Sequence, residues 1–233
     1  MRLRLAAPAA LLYRDLDLSQ RVLRDFVNEN TDRILVDSRE NFLKLQAFAR
    51  DYMQNVLARL DHYTGERPLF DLYNVEAEIE KALARRVELK SGGYLIIDQT
   101  EAMTTIDVNT GGFVGGRSFD DTIFKTNLEA AHVIARQLRL RNLGGIIIVD
   151  FIDMMDAASQ QRVMDAFDAA LKQDKMRSNI LKISELGLVE MTRKRTRASL
   201  PQILTESCPT CDGRGRIVSV TTIAYEAMRR VRQ

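Results

Sequence analysis

The chain has 233 residues, enough for one large domain or two small ones with a substantial core. Hydrophobic residues make up 45% and charged residues 28%, which excludes a disordered chain. The net charge of +2 excludes a global basic signal for nucleic acid, so any such signal must be local, and no apolar run approaches the length of a membrane-spanning helix.

The first third of the chain is predicted to be mixed helix and strand. Helical spacing of apolar residues predicts helices over residues 21–30, 41–60 and 75–89, and "RILVD" at 33–37 predicts a short strand. Residues 62–74 contain Gly65 and Pro68 and are predicted to form a loop.

The remaining chain is predicted to alternate strands and helices. Residues 94–108 predict a β-hairpin with a turn at 99–101. The elements predicted after it are a helix at 119–140, a buried strand at 144–151, a helix at 157–175 and short strands at 180–184 and 188–192. This order predicts an α/β fold with mixed sheets, a domain division near residues 83–92 and a terminal appendage after about residue 204.

Two aspartates end strands on either side of one helix. Asp107 lies at the end of the strand predicted at "TTIDV", with only Val108 after it, and Asp150 ends "IIIVD". A strand–helix–strand crossover normally returns the second strand parallel to the first, which would place both carboxylates at one sheet edge, about 5 Å apart. That spacing suits a shared Mg²⁺ ion, with Asn109 supporting the carboxylate of Asp107. The alternative is that strand-end aspartates form turns or cap helices, the role predicted for Asp153 and Asp156.

The glycine-rich stretch "NTGGFVGGRS" at residues 109–118 has two interpretations. Its backbone amides could approach a phosphate, or it could be a flexible connection. The chain contains neither GK[ST] in a Walker A motif nor GxGxxG, so a nucleotide cofactor is not expected.

A basic run follows the last predicted strand. Arg193, Lys194, Arg195 and Arg197 are four cations within five positions, with no acid among them. This local concentration of charge favours a patch that binds RNA phosphates.

Cys208 and Cys211 are the only cysteines, in a CxxC followed by Gly213 and Gly215. A structural zinc site takes four ligands, and this chain supplies two thiolates. The pair could form a local disulfide, bind zinc with water completing the shell, or meet a second pair. Two closely spaced cysteines favour a reducing cytoplasm, which argues against the disulfide.

The motifs together resemble the ribonuclease E/G family of bacterial endoribonucleases. The similarity runs through "SGGYLIIDQTEAMTTIDVN", "TNLEAAHVIARQLRLRNLGGIIIVDFIDM", "LGLVEMTRKRTR" and "CPTCDGRG". These long motifs stand in the same order as in the family and are densest over residues 90–217.

The resemblance implies Mg²⁺-dependent hydrolysis of single-stranded RNA that leaves a 5′-phosphate. It implies that Asp107 and Asp150 are the catalytic Mg²⁺ ligands with Asn109 assisting, and that Arg177 senses a 5′-monophosphate end. It also implies that Cys208 and Cys211 bind a structural Zn²⁺ shared by the two chains of a homodimer.

The implied organisation has five parts. A connecting segment (1–18) precedes an RNase H-like subdomain (19–82), a DNase I-like catalytic subdomain (83–204), a zinc-link (205–219) and the start of a small domain (220–233). Nothing in the chain resembles the family's S1 domain or most of its 5′-sensor, so a fragment is expected. A non-catalytic RNA-binding or assembly module is therefore the alternative to a nuclease.

Overall fold

The computed structural model describes residues 15–112, 119–184 and 186–231. Most of the predicted connecting segment and residues 113–118 of the glycine-rich stretch lie outside these ranges. The chain divides into two compact units between Glu76 and Ala77.

The first unit is a small assembly of helices around one parallel strand pair. Its elements are α1 (Leu18–Phe26), β1 (Ile34–Val36), α2 (Arg39–Tyr52), a 3₁₀ helix (Gln54–Arg59), β2 (Leu60–His62) and α3 (Leu69–Leu72). Strands β1 and β2 pair in parallel, and Leu23, Leu45 and Val56 lie in the core. The helix predicted over 41–60 is too long, because the chain turns at Met53 and Leu60 starts a strand.

The second unit is built on a mixed six-stranded sheet, which confirms the predicted α/β class. The helix α4 (Val75–Leu83) spans the division between the units. The further elements are β3 (Arg86–Glu88), β4 (Tyr94–Gln99), β5 (Met103–Asn109), α5 (Phe119–Leu140), β6 (Gly145–Asp150), α6 (Ala157–Leu171), β7 (Ser178–Ile183), β8 (Leu188–Arg193), α7 (Leu200–Leu204) and α8 (Val220–Val231). The strand order is β3-β4-β5-β6-β8-β7, and β5 and β6 are its parallel pair.

One face of the sheet is buried and carries α5 and α6. Alternate strand residues such as Ile106, Val149 and Val189 join Ile134 of α5 and Phe167 of α6 in one core. The period of two along each strand places the intervening residues on the opposite face. That second face carries Asp107 and Asp150, both exposed.

Two predicted helices in this region end earlier than expected. The helix predicted over 75–89 stops at Leu83, and residues 86–88 pair with β4 instead. The helix predicted over 157–175 stops at Leu171. None of the described helices is both long and apolar enough to cross a membrane.

Candidate functional site

The parallel pairing of β5 and β6 brings the two aspartates side by side, although only Asp150 ends its strand, because β5 continues two residues past Asp107. Asp107 and Asp150 are direct partners in the register of the two strands. They alternate with the buried Ile106 and Val149, so both side chains leave the same face of the sheet. Neighbouring strands lie about 4.8 Å apart, within which one small cation can contact both carboxylates.

Asn109 holds the carboxylate of Asp107. Its Nδ2 donates to Asp107 Oδ2 at 2.8 Å, as expected for two residues on the same face of β5. The backbone of Asn109 is itself closely packed, because a Cβ added to Gly93 would lie 2.5 Å from the Asn109 carbonyl oxygen. Gly93 is therefore required for β4 to approach this end of β5.

Negative charge is concentrated at this edge of the sheet. Partial burial raises the pKa of Asp150, and the nearby charges of Asp107 and Asp153 raise it further. Asp153 Oδ1 lies 3.3 Å from the position that a Cβ on Gly187 would occupy, at the turn before β8. Repulsion of this kind would be relieved by a bound cation.

Two carboxylates and one carboxamide are too few ligands for a metal bound entirely by protein groups, but they suit Mg²⁺. Across the described ranges no three His, Cys, Asp or Glu side chains converge as a metal-binding group. Mg²⁺ commonly takes only one or two carboxylates and keeps water and substrate phosphate as its other ligands. The pair Asp107 and Asp150, with Asn109 beside it, meets that requirement.

In the metal-free protein, Asp150→Asn is expected to raise the free energy of unfolding at neutral pH. A raised pKa means that the folded state disfavours the ionised carboxylate relative to the unfolded chain. The gain should be full above the folded-state pKa, shrink as pH falls through it, and vanish below the ordinary value of 3.8. Urea denaturation in EDTA across this pH range measures it.

Asp98→Asn is the matched control for that experiment. Asp98 lies on β4, and its bond to Arg85 lowers its pKa, so its replacement should have the opposite sign and reduce stability at neutral pH. An Asp150→Asn protein that is less stable than the wild type at neutral pH in EDTA would contradict the electrostatic account of the site.

The basic run separates into buried and exposed cations. Arg193 is only 4% exposed; its Nε donates to Asp174 Oδ2 at 2.7 Å and its Nη1 to the Leu143 carbonyl at 2.6 Å. This placement gives Arg193 a packing role, because its guanidinium is held inside the protein and is not presented to RNA as predicted. Arg195 is exposed but reaches back to the Gly144 carbonyl.

The exposed cations lie away from the aspartates. Lys194, Arg197 and Arg177 are exposed, and the Lys194 amide donates to the Arg177 carbonyl, which places those two residues side by side. Arg177 and Lys194 border a depression that includes Ile146, which lies four residues before Asp150 on β6, a distance of about 13 Å.

The two cysteines lie on a tight knuckle and are not joined by a disulfide. Asp212 and Gly213 have positive φ angles, and the Gly215 amide donates to Cys211 Sγ at 3.3 Å. Backbone amides, first that of Cys211, lower the pKa of the Cys208 thiol. This environment favours the thiolate, the form that binds metal.

The fold and the site together describe an α/β protein with two adjacent, exposed carboxylates on one face of its sheet. The sequence model of the Ribonuclease E/G family matches residues 2–196. The chain therefore belongs to the ribonuclease E/G family, as the motifs predicted.

The relatives support the same assignment in more detail. Ribonuclease G of Escherichia coli (strain K12) is 57% identical over 220 residues, which cover 94% of this chain and 45% of that protein. Ribonuclease G of Haemophilus influenzae is 52% identical with the same coverage. Ribonuclease E of a Nostoc species is 44% identical over 214 residues, covering 90% of this chain and 31% of that protein. The chain spans less than half the length of these relatives.

The sequence prediction missed one acidic residue of the site. Asp156 caps α6 as predicted, accepting from the amides of Ala158 and Ser159. Asp153 contributes instead to the negative charge around Asp150. Asp153 lies only three residues after Asp150, which could have indicated that the two are close. The loop conformation that brings Asp153 near Asp150 cannot be predicted from that spacing.

Proposed function

We propose that this chain carries the catalytic core of a Mg²⁺-dependent endoribonuclease that hydrolyses single-stranded RNA. The observation that carries the proposal is the direct pairing of Asp107 and Asp150 on one sheet face. Membership of the ribonuclease E/G family and similarity to proteins named ribonuclease G and ribonuclease E support it.

The chain's residues have separate tasks in this reaction. Asp107 and Asp150 would hold the cation, and Asn109 would keep the Asp107 carboxylate in place by its 2.8 Å hydrogen bond. A divalent cation bound there supplies charge that neutralises the phosphoryl centre and activates water for attack. Water adds to phosphorus, the bond from phosphorus to O3′ breaks, and the proton from water ends on O3′, which leaves a 5′-phosphate on the downstream product.

One assay separates a nuclease from a binding module. A short, 5′-phosphorylated, A/U-rich single-stranded RNA is incubated with the chain and Mg²⁺ or Mn²⁺, with EDTA as the comparison. Cleavage that requires the metal supports the proposal. Metal-independent binding without cleavage would support the non-catalytic RNA-binding module.

The exposed cations Lys194, Arg197 and Arg177 are proposed to contact RNA phosphates. Lys194→Ala with Arg197→Ala should weaken binding of unrelated single strands to a similar extent. The slope of log K against log salt should fall by about 0.7 for each lost contact with a single strand. Lys172→Ala with Lys81→Ala, which removes two surface cations paired with Asp168 and Glu78, is the charge-matched control. Equal slopes in the two variants would refute the contact.

We further propose that Cys208 and Cys211 from two chains form one tetrahedral zinc site. Identical half-sites meet naturally across a two-fold axis. The expected result is one zinc per two chains with Zn–S distances of about 2.3 Å. Chelation, or Cys208→Ser with Cys211→Ser, should shift the species towards monomer in analytical ultracentrifugation. One zinc per chain, or an unchanged metal-free dimer, would contradict this site.

A further inference from the structure

We propose that Asn127 is a positioning residue for the metal-binding carboxylates, acting through the backbone of Ile152. This inference rests on the proposed function, because it assigns a role towards the same metal site. Asn127 lies on α5 and is completely buried, so its side chain contacts neither water nor RNA.

The carboxamide of Asn127 makes two hydrogen bonds to the backbone of Ile152, in the segment that follows β6. Its Nδ2 donates to the Ile152 carbonyl at 2.7 Å, and its Oδ1 accepts from the Ile152 amide at 3.1 Å. Together the two bonds reproduce the pattern by which a neighbouring strand would hold a backbone residue. Ile152 lies two residues after Asp150 and directly before Asp153.

The backbone around Ile152 depends on side-chain hydrogen bonds because β6 ends at Asp150 and no strand pairing continues beyond it. Residues 151–156 connect β6 to α6 without a helix or strand of their own. A second carboxamide, that of Gln160, donates to the Met154 carbonyl at 2.7 Å. Asp153 therefore lies between Ile152 and Met154, whose carbonyls each accept a hydrogen bond from a buried or partly buried side-chain carboxamide. These bonds fix where its carboxylate lies relative to Asp150.

The residue before Asn127 on α5 packs beside Gly93, directly before β4. Thr126, the neighbour of Asn127, is buried, and its Cγ2 lies 2.9 Å from where a Cβ on Gly93 would be. The same Cβ position lies 2.5 Å from the Asn109 carbonyl. Two consecutive residues of one helix thus lie against Gly93, which packs against Asn109, and against Ile152, which follows Asp150 by two residues. This arrangement is the basis for assigning α5 a role in setting the spacing of the two carboxylates.

A purely structural asparagine would affect stability and nothing else, so the test measures metal affinity. Asn127→Leu keeps the branched heavy-atom shape of the side chain but leaves the Ile152 amide and carbonyl without partners, which costs stability. If Asn127 positions the site, binding of Mn²⁺ to the RNA-free chain, followed by electron paramagnetic resonance, should weaken about 10-fold, the lower end for supporting residues around metal ligands.

Gln137→Leu is the matched control. Gln137 is a buried carboxamide on the same helix that accepts from Arg141 Nε at 2.7 Å, about 15 Å along the helix from Asn127. It should lose stability and keep the wild-type Mn²⁺ affinity. Gln160→Leu, at a less buried position, should weaken Mn²⁺ binding in the same direction as Asn127→Leu and serves if that variant does not fold.

The outcomes separate this inference from the proposed function. Wild-type Mn²⁺ affinity in both Asn127→Leu and Gln160→Leu, or an equal loss in Gln137→Leu, overturns the positioning role while Asp107→Asn and Asp150→Asn still abolish binding. Equal Mn²⁺ binding by the wild type and the two aspartate variants overturns the proposed metal site, and the inference with it.

Discussion

Asp107→Asn or Asp150→Asn is expected to lower the rate of RNA cleavage about 10³-fold at saturating RNA, equivalent to about 4 kcal/mol of transition-state stabilisation. Each change removes one negative charge and almost no volume from a strand register that holds the two residues side by side. The cation would lose half of its protein ligands, whereas RNA binding by the distant cations should persist.

Two further variants serve as comparisons for the loss of cleavage in the aspartate variants. Asn109→Ala removes only the hydrogen bond to Asp107 and should reduce cleavage less than either aspartate change. Asp98→Asn makes the same chemical change at an aspartate bound to Arg85 and should leave cleavage near the wild-type rate. If Asp107→Asn cleaves normally at limiting Mg²⁺, the assignment of the site is wrong.

Removing one partner of the buried pair Arg193 and Asp174 should lower the free energy of unfolding by about 3–5 kcal/mol. The two side chains are 3% and 6% exposed, and Arg193 also donates to the Leu143 carbonyl, so either partner left alone would be a buried and uncompensated charge. Urea denaturation of Arg193→Ala and Asp174→Ala measures the loss.

Arg195→Ala is the comparison for the buried pair. Arg195 belongs to the same basic run but is exposed, so its replacement should cost much less. Arg193→Met combined with Asp174→Leu should recover much of the stability, because neither charge is then buried alone. An Arg193→Ala protein of wild-type stability with a reduced salt slope for RNA binding would return Arg193 to the RNA-contacting set.

The burial of Arg193 could have been predicted from strand periodicity, although the density of cations around it suggested contact with RNA. Arg193 continues the period of two set by Val189 and Met191, both buried on β8. That alternation predicts an inward side chain. Its partner Asp174 follows α6, and the pairing depends on tertiary packing that spacing alone does not reveal.

The parallel pair of strands was predictable because it depends on local patterns and one topological rule. The strand patterns around Asp107 and Asp150, separated by one helix, predicted that the two strands would be adjacent and parallel, as the structure has them. The end of α4 was not predictable, because residues 84–89 suit a helix but gain strand pairing with β4. Asn127 was missed for a related reason, since its partner Ile152 is 25 residues away and offers only backbone groups.

The most direct test of the central claim is a crystal of the chain soaked in Mn²⁺, measured near the manganese absorption edge. The metal site proposed here predicts an anomalous difference peak bounded by the carboxylates of Asp107 and Asp150, with water completing the coordination shell. The same soak of Asp150→Asn should lack the peak. A peak at another position, or an equal peak in both proteins, would contradict the assignment of these two aspartates as the metal ligands.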